Sequence, residues 1–151
     1  MVQTEKTAEI VNDLIKINND RIEGYKTAMK ETTGTDGDLK STFSDMVSQS
    51  VRYKQELSGL VKQLGEQPEQ GTRTDGKIYR AWMDIKATFS GHSRKAVLEN
   101  CEFGEDAALK AYKTALESDE IAADARAVLL QQQMDLKSSH NLIKSMRDNT
   151  N

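Results

Sequence analysis

Apolar residues recur along most of this chain at intervals of three and four, the spacing of one face of an α-helix. In the first segment Ala8, Val11, Leu14, Ile22, Tyr25 and Met29 form such a stripe, and Asn18 interrupts it at its centre. The pattern predicts a helix over about 5–31, closed by the turn chemistry of Gly34 and Gly37. A second stripe, Leu39, Phe43, Met46, Ser50, Tyr53, Leu57, Leu60 and Leu64, predicts a helix over about 38–64 that ends at Gly65 and Pro68. A third helix is expected over about 93–117, with Leu98, Cys101, Glu105, Ala108, Tyr112 and Leu116 facing inward. A fourth is expected over about 120–147, capped by Ser118 or Asp119, with Leu129, Gln133, Leu136, His140 and Ile143 on its inner face.

The connections set the arrangement. A short turn makes the first two helices antiparallel neighbours, and the joint "SDE" does the same for the last two. Between the pairs lies a long detour, "GEQPEQGTRTDGK" followed by "IYRAWMDIKATF". There Ile78, Trp82, Ile85 and Phe89 predict a short amphipathic helix over about 76–90. A connection of that length can run the length of a bundle, which makes the second and third helices parallel. The predicted architecture is all-α: one domain over 1–151, a ferritin-like four-helix bundle with a single long crossover carrying a short extra helix. Trp82 is expected to anchor that extra helix, either on the side of the bundle or against a second subunit.

The chain also repeats itself. "GYKTAMKE" in the first helix is echoed by "AYKTALES" in the third, and Tyr25 matches Tyr112 at 112 − 25 = 87. The same offset places Asn18 on Glu105, Ser50 on Lys137 and Tyr53 on His140. These are mid-stripe polar positions. Di-iron carboxylate bundles place a Glu on each of two helices and a Glu-x-x-His on each of the other two. Here the single-Glu positions hold Asn18 and Glu105, and the paired positions read Ser50-x-x-Tyr53 and Lys137-x-x-His140. Only Glu105 and His140 are ordinary ligands. The remaining four positions describe a degenerate site in which Lys137 is expected to pair with Glu105 in place of a metal. His140 and Tyr53 are then expected to complete a hydrogen-bonded network.

Composition adds boundaries. Charged residues are 30% of the chain and aromatics 5%, with one proline and nine glycines, a balance suited to long helices. The net charge is −3, with basic and acidic residues interleaved, so no clustered basic face for nucleic acid is expected. No apolar run reaches membrane-spanning length, and "MVQTEKTAEI" has no signal-peptide stretch, so no membrane association and a cytoplasmic location are expected. The single Cys101 lies on an apolar stripe and reads as a buried small hydrophobe. His92, in the Gly91 turn, reads as a surface residue.

"LVKQLGEQP", "AWMDIKATF" and "LENCEFGEDAALKAYKTAL" resemble the bacterial ferritin-like four-helix-bundle proteins of unknown function. Stress-associated relatives of the ferritin and rubrerythrin kind lie further out. The resemblance spans about 8–147, with "GEDAALKAY" and "RAWMDIK" as its most specific stretches. It implies a cytoplasmic bundle, often a homodimer, with no established reaction, and it carries over Glu105 and His140 as metal ligands.

The reading that follows is a non-enzymatic bundle with no cofactor, a stress-related protein that acts by self-association or through a protein partner at the Trp82 helix. The alternative is a residual mononuclear iron, manganese or zinc site built on Glu105 and His140. A DNA-protecting bundle lacks the basic tails it would need, and a ligand-binding bundle would have its cavity near Ser50 and Asn18.

Overall fold

A computed structural model describes residues 2–32, 37–68, 93–119 and 121–150. They form four helices: α1, Val2–Glu31; α2, Gly37–Gln63; α3, Arg94–Leu116; and α4, Ala123–Asp148. Among the described residues there is no strand. The expected crossover helix over 76–90, with Trp82, lies outside the described residues, as does His92.

The helix ends follow from local chemistry. Gly65 closes α2 with φ of +79°, a left-handed conformation that side-chain-bearing residues rarely adopt. Its N–H reaches Lys62 O at 3.0 Å and the Glu66 N–H reaches Val61 O at 3.1 Å, the paired bonds of a Schellman motif. Ser93 caps α3, its Oγ accepting from the Ala96 N–H at 3.0 Å. The far end of α3 is closed from outside: Arg126 donates to Leu116 O at 2.7 Å and to Ser118 O at 2.6 Å. The expected cap at Ser118 or Asp119 is not what starts α4. Ile121 is buried in the core, so the chain stays out of helix until Ala122, whose N–H donates to Thr7 Oγ1 at 3.2 Å.

Those same contacts give the topology. Asp38 at the start of α2 meets Arg94 at the start of α3, at 2.9 and 2.6 Å, so α2 and α3 begin at the same end and run parallel. Thr7 and Ala122 place the starts of α1 and α4 together at the other end. The Asn12 side-chain amide donates to Gln67 O at 3.1 Å, which sets α1 antiparallel to α2. The most extensive packing lies within the pairs α1–α2 and α3–α4, and α1 against α3 joins the pairs. This is the ferritin-like order expected from the long connection.

Leu14, Ile15, Leu39, Phe43, Leu57, Leu98, Leu129 and Leu136 are fully buried along the bundle axis. Burial of each such side chain contributes about 1.5–3 kcal/mol to folding. Tyr25 packs on Phe43 with ring centroids 5.4 Å apart. On α4 the inward positions are Gln132 and Ser139, one residue before the expected Gln133 and His140, both of which are half-buried. No described helix is long and apolar enough to cross a membrane.

Candidate functional site

Halfway along the bundle the apolar core gives way to polar side chains from all four helices. Arg21, on α1, is 1% exposed and Glu105, on α3, is fully buried. The guanidinium engages both carboxylate oxygens, Nε to Oε2 at 3.0 Å and Nη2 to Oε1 at 2.7 Å. This is the bidentate fork that arginine offers and lysine does not. The Tyr25 hydroxyl donates to Glu105 Oε1 at 2.7 Å, and its ring lies 5.3 Å from the guanidinium carbon. Met46 accepts from the guanidinium as well, its carbonyl oxygen from Nη1 at 3.5 Å and its sulfur from Nη2 at 3.3 Å.

From Arg21 a chain of hydrogen bonds runs outward in one direction. Arg21 Nη1 donates to Ser50 Oγ at 2.8 Å, and Ser50 donates to Asn18 Oδ1 at 3.0 Å. Asn18 Nδ2 donates to Tyr112 Oη and to Leu14 O, both at 2.9 Å. Tyr112 donates to Gln132 Oε1 at 2.6 Å, and Gln132 Nε2 donates to Glu56 Oε1 at 2.8 Å, at the surface. Each hydroxyl and amide accepts from one neighbour and donates to the next. Such satisfaction is what a buried polar network requires, since an unpaired member costs about 1–3 kcal/mol.

The internal repeat appears in this geometry. Tyr25 bonds Glu105, and Tyr112 bonds Asn18. The two tyrosines are 87 residues apart, as are Asn18 and Glu105. The halves therefore exchange equivalent contacts, each tyrosine reaching the polar residue of the other half.

Electrostatics keep the Arg21 guanidinium charged. Burial by itself disfavours a charged guanidinium, but Glu105 beside it outweighs this and raises the Arg21 pKa above its already high ordinary value. The Tyr25 hydroxyl is pushed up by burial and then by the Glu105 charge. Burial likewise raises Tyr112, against the hydrogen bond from Asn18. Cys101, one turn from Glu105, is raised by burial first and by Glu105 second.

Of the residues expected at the degenerate site, Asn18, Ser50 and Glu105 converge. Lys137 does not: its side chain is exposed, and the cation paired with Glu105 is Arg21. Tyr53 is buried, but among the described residues its hydroxyl has no hydrogen-bond partner, and its backbone carbonyl touches the network, accepting from Gln132 at 3.4 Å. Burial, then the nearby Asp135 carboxylate, raises its pKa. His140 sits elsewhere, on the flank where α4 meets α3, its Nε2 at 2.6 Å from Asp106 Oδ1 and 3.6 Å from Glu102 Oε2. Glu105 and His140 thus belong to separate clusters. Leu129, Leu136 and Ile143 face inward as expected, but the polar positions between them that enter the bundle are Gln132 and Ser139, three residues on from Leu129 and Leu136, which leaves His140 on the flank.

Arg21 is the residue that sequence reasoning missed. The signal was present: Asn18, Arg21 and Tyr25 are spaced three and four apart and so share a helix face. A di-metal centre does not fit here. Glu105 is committed on both oxygens to a permanent cation, and Asn18, Ser50 and Tyr53 bring no charge to offset metal ions.

Residues 6–118 match the model of a family described as Domain of unknown function (DUF2383). The chain belongs to this family. The match spans α1 to α3 of this DUF2383 chain. No curated protein matches it. Among solved structures, a mutant of Mycobacterium smegmatis Dps1 superposes with a TM-score of 0.80 at 12% identity, covering 96% of this chain and 97% of that one. At that identity the likeness is one of fold: an all-α, ferritin-like four-helix bundle.

Proposed function

We propose that this chain is a non-enzymatic ferritin-like bundle, in which an arginine replaces the metal at mid-height, and that it acts by self-association or by binding a protein partner. The observation that carries this reading is the two-point contact of Arg21 with Glu105, which fills the cation position of the bundle with a side chain. A network so enclosed fixes helix register and leaves interaction to the outer surface. Leu130 and Met134, one turn apart on α4, are the exposed apolar side chains best placed for a self-contact. The segment around Trp82 is a second candidate surface for a partner. A cytoplasmic location is supported by the lone, buried Cys101. The resemblance to stress-associated bundles supports a stress-related role.

Sedimentation of the full chain across a wide concentration range tests self-association. A homodimer is expected, weakened in Leu130→Lys/Met134→Lys. A monomer at every concentration, or a dimer indifferent to that double substitution, would remove α4 from the account.

A further inference from the structure

The geometry points to a second, solvent-facing site on the α3–α4 flank: Glu102, Asp106 and His140 bind one divalent transition-metal ion of the zinc class. Glu102 and Asp106 are one turn apart on α3 and share a face, and His140 comes from α4. One donor atom from each lies within 4.8 Å of the other two. Both carboxylates address the same imidazole nitrogen, Asp106 at 2.6 Å and Glu102 at 3.6 Å. A divalent ion at the same place gains two anionic oxygens and one nitrogen.

Arg147 prepares the site. It holds Glu102 by Oε1, which leaves Oε2 on the side of His140. Outer partners of this kind fix the orientation of a ligating carboxylate. The Glu102 and His140 side chains are 12% and 16% exposed, so they are largely held in place, whereas Asp106 is 61% exposed. Water completes the shell on the Asp106 side. One imidazole with two carboxylates suits zinc and its neighbours, whereas magnesium and calcium favour oxygen alone. The two carboxylates and the Arg147 guanidinium sum to a charge of −1, which favours a divalent cation. Glu105 takes no part, so this site and the metal-free middle of the bundle stand or fall separately.

Calorimetric titration of the metal-free full chain with zinc tests the inference, with the histidine imidazole NMR signals recorded in parallel. One equivalent of zinc is expected to bind and to shift the His140 signals. Affinity should fall on the order of tenfold or more in His140→Ala and in Asp106→Asn. Magnesium should not compete. Circular dichroism of His140→Ala, a half-buried position, checks that the bundle persists. Zinc affinity unaltered in His140→Ala, or the absence of binding at millimolar zinc, would overturn the site and leave the three residues as an ion-pair cluster.

Discussion

Arg21 and Glu105 meet across α1 and α3 through two hydrogen bonds of 3.0 and 2.7 Å, with both side chains closed off from water. The pair is costly to bury and more costly to break. Removing ions from water costs several kcal/mol each, and the loss of one partner strands the other. Arg21→Met should therefore destabilise the bundle by about 3–5 kcal/mol in urea unfolding. The double variant Arg21→Met/Glu105→Leu should recover most of that loss, because no buried charge remains. A single variant that costs under about 1 kcal/mol would mean that water reaches the site.

The tyrosines separate bonded from unbonded hydroxyls. Tyr25 donates to a carboxylate, so Tyr25→Phe should cost about 1.5–3 kcal/mol. Tyr53 is also buried, but its hydroxyl is without a hydrogen-bond partner among the described residues. Tyr53→Phe should change stability by less than about 1 kcal/mol, in either direction. Chemical denaturation of the two variants side by side measures the contrast.

Stability should decline in alkali. The buried Tyr25, Tyr53 and Tyr112 hydroxyls and the Cys101 thiol all ionise at higher pH in the folded chain than in the unfolded one. Their contribution is whole below the unfolded values and is lost as pH rises from them toward the folded ones. The unfolded chain then releases protons that the folded chain keeps. The decline starts near pH 9 with Cys101 and steepens above pH 10 with the tyrosines. Each group contributes up to about 1.4 kcal/mol per pH unit. Arg21, whose pKa is raised further, adds nothing in this window. Urea midpoints from pH 8 to 11, with phenolate absorbance followed in parallel, check the slope. A flat profile would contradict it.

Cys101 should resist thiol reagents in the native bundle. It is buried and its thiol is held protonated, whereas the reactive form is the thiolate. Labelling should appear only with unfolding, at the unfolding rate. Rapid labelling in buffer would place the thiol at the surface.

The fold was legible because apolar spacing and connection length are properties of the chain itself: two short joints and one long detour leave few arrangements for four helices. The site was legible in part. The repeat that links Tyr25 with Tyr112 and Asn18 with Glu105 is visible in the sequence, and those four residues do meet pairwise. The register of α4 was not readable. Between the inward Leu129, Leu136 and Ile143 the polar position can lie three or four residues on, and spacing alone does not choose Gln132 over Gln133 or Ser139 over His140. The choice of Ser139 leaves His140 on the flank, beside Asp106 and Glu102. Arg21 escaped because a charged residue in "NNDRIEGYK" reads as surface. Its burial is made tolerable by facing groups distant in sequence, Glu105 and Ser50 first among them.

A side-chain cation where di-iron carboxylate bundles carry metal is open to one direct measurement. The His140→Ala chain, which lacks the flank site, is loaded with ferrous iron or manganese without oxygen, desalted, and analysed for bound metal per chain. No retained metal is the predicted result, the same for this chain and for its Glu105→Gln variant. One or two ions retained per chain and lost on Glu105→Gln would contradict the account.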